Sequence, residues 1–452
     1  MSQPAPSPAS PRPRHLGLFD AVCTMIGIIL GTGIFMAPAK VAAVLPSREL
    51  APLVWLVGGL IAMCGAVCYA ECAARLPEDG GFFLYYERAF GPQVARVAGW
   101  AAWLVTYPAS LTATAWVAAS YLQGMLRPQG GSAAPWAAAL LVGCAAIVAL
   151  GVRAGARLQR VLTGCKVAAI IAVGTAAVWR GRGGGPPPSP LDLGPLATTP
   201  ALVLTAFAAV MWTFDGWSDI TMLAGELKNP RRNLLRAVSW GIFVPATCYA
   251  LLQAAVMTLL PAEVAMRSGH VLLAALEVIG GQQAAWALGT LALICAVGSL
   301  HGVMSAVCRL GWSMAVMGEV PRAFAVRHPR LGTPVRALVV PVGLALAYLV
   351  GGNFNALLSY FAFGVWLYYS LTAVAMLRLR ARRVGEAHAF RAPGGYGPPA
   401  VVIATAAIMS GLQVWESPWR TAVGVASVAA CALGHRLLGA QNRSPARADA
   451  AR

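Results

Sequence analysis

Two short segments of the chain join groups that can hold charge to residues that weaken a helix. The first reads Ile26-Gly27-Ile28-Ile29-Leu30-Gly31-Thr32-Gly33-Ile34-Phe35, the second Met211-Trp212-Thr213-Phe214-Asp215-Gly216-Trp217-Ser218-Asp219. Each glycine weakens a helix interior by about 1 kcal/mol. An interruption at Gly31, Thr32 and Gly33 would bare backbone N–H groups at the start of the next helical piece. The dipole there carries about +0.5 charge and suits a carboxylate. The same breaks would free carbonyls around Ile29 and at Trp212 and Phe214, and carbonyl oxygens suit an ammonium group. One anion site beside one cation site matches the α-carboxylate and α-amine of a free amino acid. Side chains would then set selectivity.

Other groups in apolar surroundings are open to more than one use. Asp215 either caps the helical piece that follows Gly216 or steers a cationic ligand. Capping is the favoured use, so a neutral ligand is expected. Asp219, one turn on, is read as a cap or a solvated residue. Lys166 lies six residues beyond Arg160, about 9 Å deeper along a helix, where a lysine can snorkel back to the interface. His301 is either a packed hydrogen-bonding residue or a proton relay. Phe214 and Trp217 either line and close a pocket or simply pack, whereas Trp212 sits at the break itself. Glu71, Glu78, Asp79, Glu87 and Glu226 stand near Arg75, Arg88 and Lys228, which reads as solvated or gate-closing ion pairs. No P-loop, zinc-ligand spacing or nucleophile elbow occurs, so no enzyme chemistry, cofactor or metal is expected. The ten cysteines form no C-x-x-C pair and read as small apolar residues.

The elements that hold these residues are set by composition. Of 452 residues 58% are apolar and 11% charged, with mean hydropathy +0.67, too apolar for soluble domains. Apolar runs fall at 17–43, 52–73, 95–124, 133–151, 158–179, 201–225, 236–260, 284–316, 335–350, 355–379, 399–415 and 419–439. Within lipid these must be helices, because each backbone group needs a partner in its own segment. The expected fold is an all-α integral membrane protein with twelve transmembrane helices. Gly31 and Gly216 are 185 residues apart, so the broken first and sixth spans would head two five-helix units of opposite topology, with a midplane site between them. The divisions are 1–14 (Pro/Ser-rich, disordered), 15–180 (first repeat), 181–200 (outer Gly/Pro-rich loop), 201–380 (second repeat), 381–439 (two peripheral helices) and 440–452 (tail). Of the 34 basic residues, 26 lie on one set of alternate segments, seven on the other, and Lys166 lies within span five. That asymmetry places both termini in the cytoplasm. The +18 net charge is accounted for by topology and attraction to the anionic bilayer, not by nucleic acid.

The chain resembles the amino acid-polyamine-organocation superfamily, and within it the L-amino acid transporter family, known for the LeuT-type 5+5 inverted repeat with discontinuous helices 1 and 6. The likeness runs through Gly31 to Phe35 with Pro38, AECAARLPEDGGFFLYYERAFGP (Ala70 to Pro92), Pro108-Ala109-Ser110 and GVRAGARLQRVLTGCK (Gly151 to Lys166). It continues through FDGW and GELKNPRRNLLRA (Phe214 to Ala237) and GSLHGVMSAVCR (Gly298 to Arg309). It covers about residues 17–335, the remainder matching by hydropathy alone. The resemblance implies that Thr32 and Gly33 bind a substrate carboxylate, that Ile29, Trp212 and Asp215 face its amine, and that Lys166 takes the place of a sodium ion between spans one and eight.

It also implies secondary active transport of free amino acids across the plasma membrane by alternating access. Exchange and proton-linked symport both stay open. His301 stands where the family often has asparagine, and Met317-Gly318-Glu319 departs from the family's acidic residue before the glycine. No cysteine lies in 123–135, so the disulfide to a heavy chain seen in animal relatives is not expected, and a stand-alone bacterial member is implied. Two rivals remain: a cationic amino acid or polyamine permease, and a membrane receptor or enzyme that does not translocate.

Overall fold

The computed structural model describes residues 14–45, 49–126, 132–182, 200–261, 264–265, 271–351, 354–385, 390–416, 418–419 and 421–426. Among them nearly all secondary structure is helical, and one isolated bridge pairs Leu16 with Leu227. Helix α1, Leu18–Ile29, opens where the Asp20 carboxylate reaches back to accept the Gly17 N–H at 2.9 Å, satisfying a donor that has no helical partner. It stops at Leu30. A 3-10 turn, Gly33–Phe35, leads into α2, Ala37–Val44, with Pro38 in its first turn, where a missing N–H costs nothing.

Next come α3 (Leu50–Arg75), α4 (Phe82–Phe90), α5 (Pro92–Ala101), a widened π-type turn (Ala102–Thr106), α6 (Tyr107–Leu126), α7 (Ala134–Ala149) and α8 (Val152–Arg182). The sixth apolar run is broken too. Helix α9, Pro200–Thr213, ends in a turn over 214–218, and a 3-10 segment, Asp219–Glu226, follows. Gly216 sits at φ +106° in that turn, a conformation glycine adopts without the clash a Cβ brings. The chain continues as α10 (Pro230–Leu259), α11 (Val271–Val316, bent at Gly281), α12 (Arg336–Gly351), α13 (Phe354–Ala381) and α14 (Gly397–Glu416).

Six described helices are long and apolar enough to cross a bilayer: Leu18–Phe35, Leu50–Arg75, Val152–Trp179, Pro230–Leu259, Trp286–Val316 and Gly397–Trp415. Eleven of the apolar runs coincide with helical segments. Most of the twelfth, 419–439, and most of 1–14, 181–200 and 440–452 lie outside the described residues. Helix α4 has no counterpart among the apolar runs, since its FFLYYERAF sequence mixes aromatic with charged residues. Its Phe82, Phe83, Tyr85 and Tyr86 are buried all the same. Two packings position the interruptions: α1 lies against α8, α10 and α11, and α9 lies against α2 and α3.

Candidate functional site

The two interruptions meet. A Cβ on Gly216 would stand 2.3 Å from Ile28 Cγ2, and one on Gly33 would stand 3.0 Å from Thr213 Oγ1. A side chain at Gly216 would force Ile28 aside, and one at Gly33 would crowd Thr213.

Where α1 ends, its carbonyls lose their helical N–H partners, and three other helices supply replacements. Lys166 on α8 donates to Gly27 O at 2.9 Å and Leu30 O at 3.0 Å, and reaches Cys295 O on α11 at 3.4 Å. Ser299 on α11 donates to Ile28 O at 3.0 Å. The Tyr249 hydroxyl on α10 lies 2.5 Å from Ile29 O and 3.1 Å from Thr213 O. One hydroxyl proton serves one of these at a time, so Tyr249 links the ends of both broken helices. Lys166 is fully buried and does not turn back toward the interface, because its three N–H groups meet three carbonyls at the break.

On the other side of the break the backbone donors differ. The N–H groups of Thr32, Gly33 and Ile34 make no backbone hydrogen bond among the described residues, while Thr32 O and Gly33 O accept from Phe35 and Met36. Thus the donors are available and most acceptors are taken. Ile29 O, expected from sequence to be free, also takes the Gly31 N–H at 2.6 Å, and Trp212 O takes the Asp215 N–H at 3.1 Å.

Beyond the second break, Asp215 and Asp219 line one cavity with Tyr107, Thr106, Tyr368 and Tyr369. Its free volume is about 30 Å³, room for one or two waters. Asp215 accepts from the Tyr369 hydroxyl and from the Gly216 N–H, so it does bind the turn. Asp219 is buried rather than solvated and accepts from the Tyr107 hydroxyl at 2.8 Å. Trp217 stacks on Tyr369 at 4.1 Å between centroids and meets the edge of Tyr69 at 5.2 Å. Phe214 is placed elsewhere: it packs between Trp55 and Tyr249 and does not line the cavity. Trp212 is half-buried at the end of α9. Gly31 backs onto Ser299, whose Oγ would lie 3.1 Å from an added Cβ. His301 does not line the cavity and is buried with its Nδ1 3.1 Å from Gln159 Oε1.

Charged residues converge on the end of the bundle that holds Leu16, Asp79 and Glu226. Arg309 makes a two-pronged pair with Glu226 at 2.8 and 2.9 Å, and Arg327 binds Asp79 at 2.6 Å and Glu226 at 3.6 Å. Glu71 is held by Arg75 and Arg380, and Glu319 by Arg96. Glu71 pairs with its sequence neighbour Arg75, whereas Glu226 pairs with Arg309, 83 residues away. Leu16 straps this end, its N–H donating to Glu226 O at 3.0 Å and its carbonyl accepting from Lys228 at 2.8 Å.

A bundle of apolar helices, six of the described ones long and apolar enough to cross a bilayer, points to a polytopic membrane protein whose two interrupted runs meet. Residues 16–431 match the family described as Amino acid permease, and the chain belongs to that family. It is accordingly a multi-pass membrane transporter for amino acids, not an enzyme. Among its relatives, b(0,+)-type amino acid transporter 1 of Mus musculus is 28% identical over 381 residues, covering 82% of this chain and 77% of that one. Asc-type amino acid transporter 1 of Mus musculus is 29% identical over 379 residues, covering 82% and 71%. The serine/threonine exchanger SteT of Bacillus subtilis is 25% identical over 388 residues, covering 84% and 86%.

Tyr249, Ser299, Tyr107 and Tyr369 were not singled out from sequence. One signal was available: Tyr249 and Gln253 are four apart in an apolar helix, so their polar groups share a face. Gln253 accepts from the Trp55 indole at 3.1 Å.

Proposed function

We propose that the chain carries neutral amino acids across the plasma membrane by alternating access, holding the common backbone of the substrate at the two interruptions. The substrate carboxylate accepts from the bare N–H groups of Thr32, Gly33 and Ile34. Its ammonium faces Asp215 and the end of α9 at Trp212. The observation that carries this is the asymmetry of the first break, where the carbonyls of Gly27 to Leu30 are already served and three successive amides are not. An array of amides at a helical start stabilises an anion through both hydrogen bonds and dipole.

In this proposal the twelve apolar runs span the membrane as a LeuT-type pair of inverted units, 15–180 and 201–380, with 381–439 peripheral. Both termini are cytoplasmic, on the side that carries most of the arginines. The Asp79–Arg327 and Glu226–Arg309 pairs then close the cytoplasmic path. Lys166 acts as a fixed cation that braces α1 against α8 and α11, in the role of a structural sodium ion. A neutral substrate is favoured because Asp215 is tied to Tyr369 and Gly216, and because one relative is named for serine and threonine. No disulfide-linked heavy chain is expected, since 123–135 offers no cysteine.

The test is counterflow of twenty labelled amino acids into liposomes that hold the purified protein and unlabelled substrate. Accumulation of small neutral amino acids is expected. Binding without flux would reject transport, and flux restricted to polyamines or cationic amino acids would reject the substrate class.

A further inference from the structure

Each buried carboxylate on the Asp79 and Glu226 side of the bundle has an arginine: Glu71 has Arg75 and Arg380, Asp79 and Glu226 share Arg327, Glu226 also has Arg309, and Glu319 has Arg96. Asp219 is 4% exposed, and among the described residues it makes no ion pair. Its cavity holds a second carboxylate, Asp215, which is likewise without a cation.

The other titratable groups that line the cavity are the hydroxyls of Tyr69 on α3, Tyr107 on α6, and Tyr368 and Tyr369 on α13; α4, the π-type turn, the turn at 214–218 and α11 add only apolar or neutral polar side chains such as Phe82 and Thr106. None is cationic, and Lys166 is committed to the carbonyls of α1 and α11. Two like charges in a site of low dielectric repel each other and lose their hydration, so a pair of this kind calls for two positive charges.

One is at hand in the function proposed above, on which this inference rests: the substrate ammonium beside Asp215. The geometry points to a proton as the other, bound on Asp219 and carried across the membrane with each amino acid. A free volume of about 30 Å³ holds a water or two but no lysine or arginine side chain. A water can deliver a proton to Asp219, and Tyr107 fixes the carboxylate that receives it. The proton comes from water on the outer side, forms an O–H bond on an Asp219 oxygen, and leaves to water on the cytoplasmic side. With Asp215 facing the ammonium and Asp219 protonated, neither carboxylate is left as an unmatched charge, and the substrate carboxylate is held by the amides of the first break. Lys166 takes no part in this transfer, because its Nζ is held by the carbonyls of α1 and it does not line the cavity.

The test uses the purified full chain in liposomes with a pH-sensitive dye inside and the membrane potential clamped. In the wild type, adding serine outside should bring one proton in per serine, and an inward proton gradient should drive serine uphill. Asp219→Asn should lower the ratio of gradient-driven uptake to counterflow by about tenfold or more, since the second ligand no longer distinguishes the two states. Tyr107→Phe, which removes the donor to the ionised carboxylate, should move the pH midpoint of uptake upward.

A wild type that counterflows serine yet shows no uphill uptake driven by an inward proton gradient, or that takes serine up in net without proton entry, would overturn the proposal, as would undiminished proton entry in Asp219→Asn. So would loss of lysine or arginine transport alone in that variant. If no amino acid shows counterflow, the transport reading itself fails. The proton site is then judged by infrared spectroscopy in detergent: a protonated-carboxyl band abolished by Asp219→Asn supports it, and absence of the band overturns it.

Discussion

Replacing Lys166 by Met keeps the length and apolar stem of the side chain while deleting its three donors. Gly27 O and Leu30 O, now at 2.9 and 3.0 Å from Nζ, would be left buried without partners. The 3.4 Å contact to Cys295 O is long for a hydrogen bond and adds little. A stranded buried acceptor costs about 1–3 kcal/mol, so the two together cost about 2–6 kcal/mol. With an unfolding entropy of about 2.1 cal/mol/K per residue, a chain of 452 residues loses about 1 °C of Tm per kcal/mol, hence about 2–6 °C. Counterflow should fall with it, because the end of α1 is no longer fixed where the substrate binds. Lys166→Arg should not restore it: an added Cβ on Gly298 would already stand 2.7 Å from Nζ, and a guanidinium needs more room than that. Thermal unfolding in detergent and counterflow in liposomes check both halves. A Met variant that matches the parent in Tm and in rate would show that Lys166 does not brace the break.

Three further changes probe other parts of the site. Gly216→Ala places a Cβ 2.3 Å from Ile28 Cγ2 at φ +106°. It should cost about 1–3 kcal/mol in backbone strain alone and abolish counterflow; an active variant of parental Tm would mean the two breaks do not touch. Tyr249→Phe removes only the hydroxyl between Ile29 O and Thr213 O, and should lower stability by about 1–3 kcal/mol in denaturant titration, with no change expected if that hydroxyl is idle. Glu226→Gln leaves the buried Arg309 without its carboxylate, a change worth about 3–5 kcal/mol. Labelling of the buried Cys308 by a thiol reagent added from the cytoplasmic side should then speed up.

Much of the frame is legible in the sequence because lipid permits so few solutions. Apolar runs near twenty residues must be helices, and Gly31, Gly33 and Gly216 mark where two of them stop. The role of Lys166 is legible only through the family resemblance, since its depth along the helix alone also suits a lysine that snorkels to the interface. What stays hidden is every partner brought in from afar. Gly27 to Leu30 offer carbonyls to any donor, and nothing local says that Lys166, Ser299 and Tyr249 take them. Phe214 looks like a pocket aromatic from its place in FDGW, yet the turn at Gly216 sends it toward Trp55 and Tyr249 while Asp215 and Asp219 face the cavity. The acidic residues near Arg75, Arg88 and Lys228 invite local pairing. Three-dimensional packing instead gives Glu226 to Arg309 and Asp79 to Arg327.

Competition by substrate analogues tests the backbone receptor most directly. Liposomes that exchange labelled serine are challenged with ethanolamine, which keeps the amine and hydroxyl of serine but lacks its carboxylate, and with unlabelled serine as reference. If the amides of Thr32, Gly33 and Ile34 hold the carboxylate, unlabelled serine competes and ethanolamine does not, and Gly33→Val loses exchange altogether. Equal competition by ethanolamine, or full exchange in Gly33→Val, would contradict it.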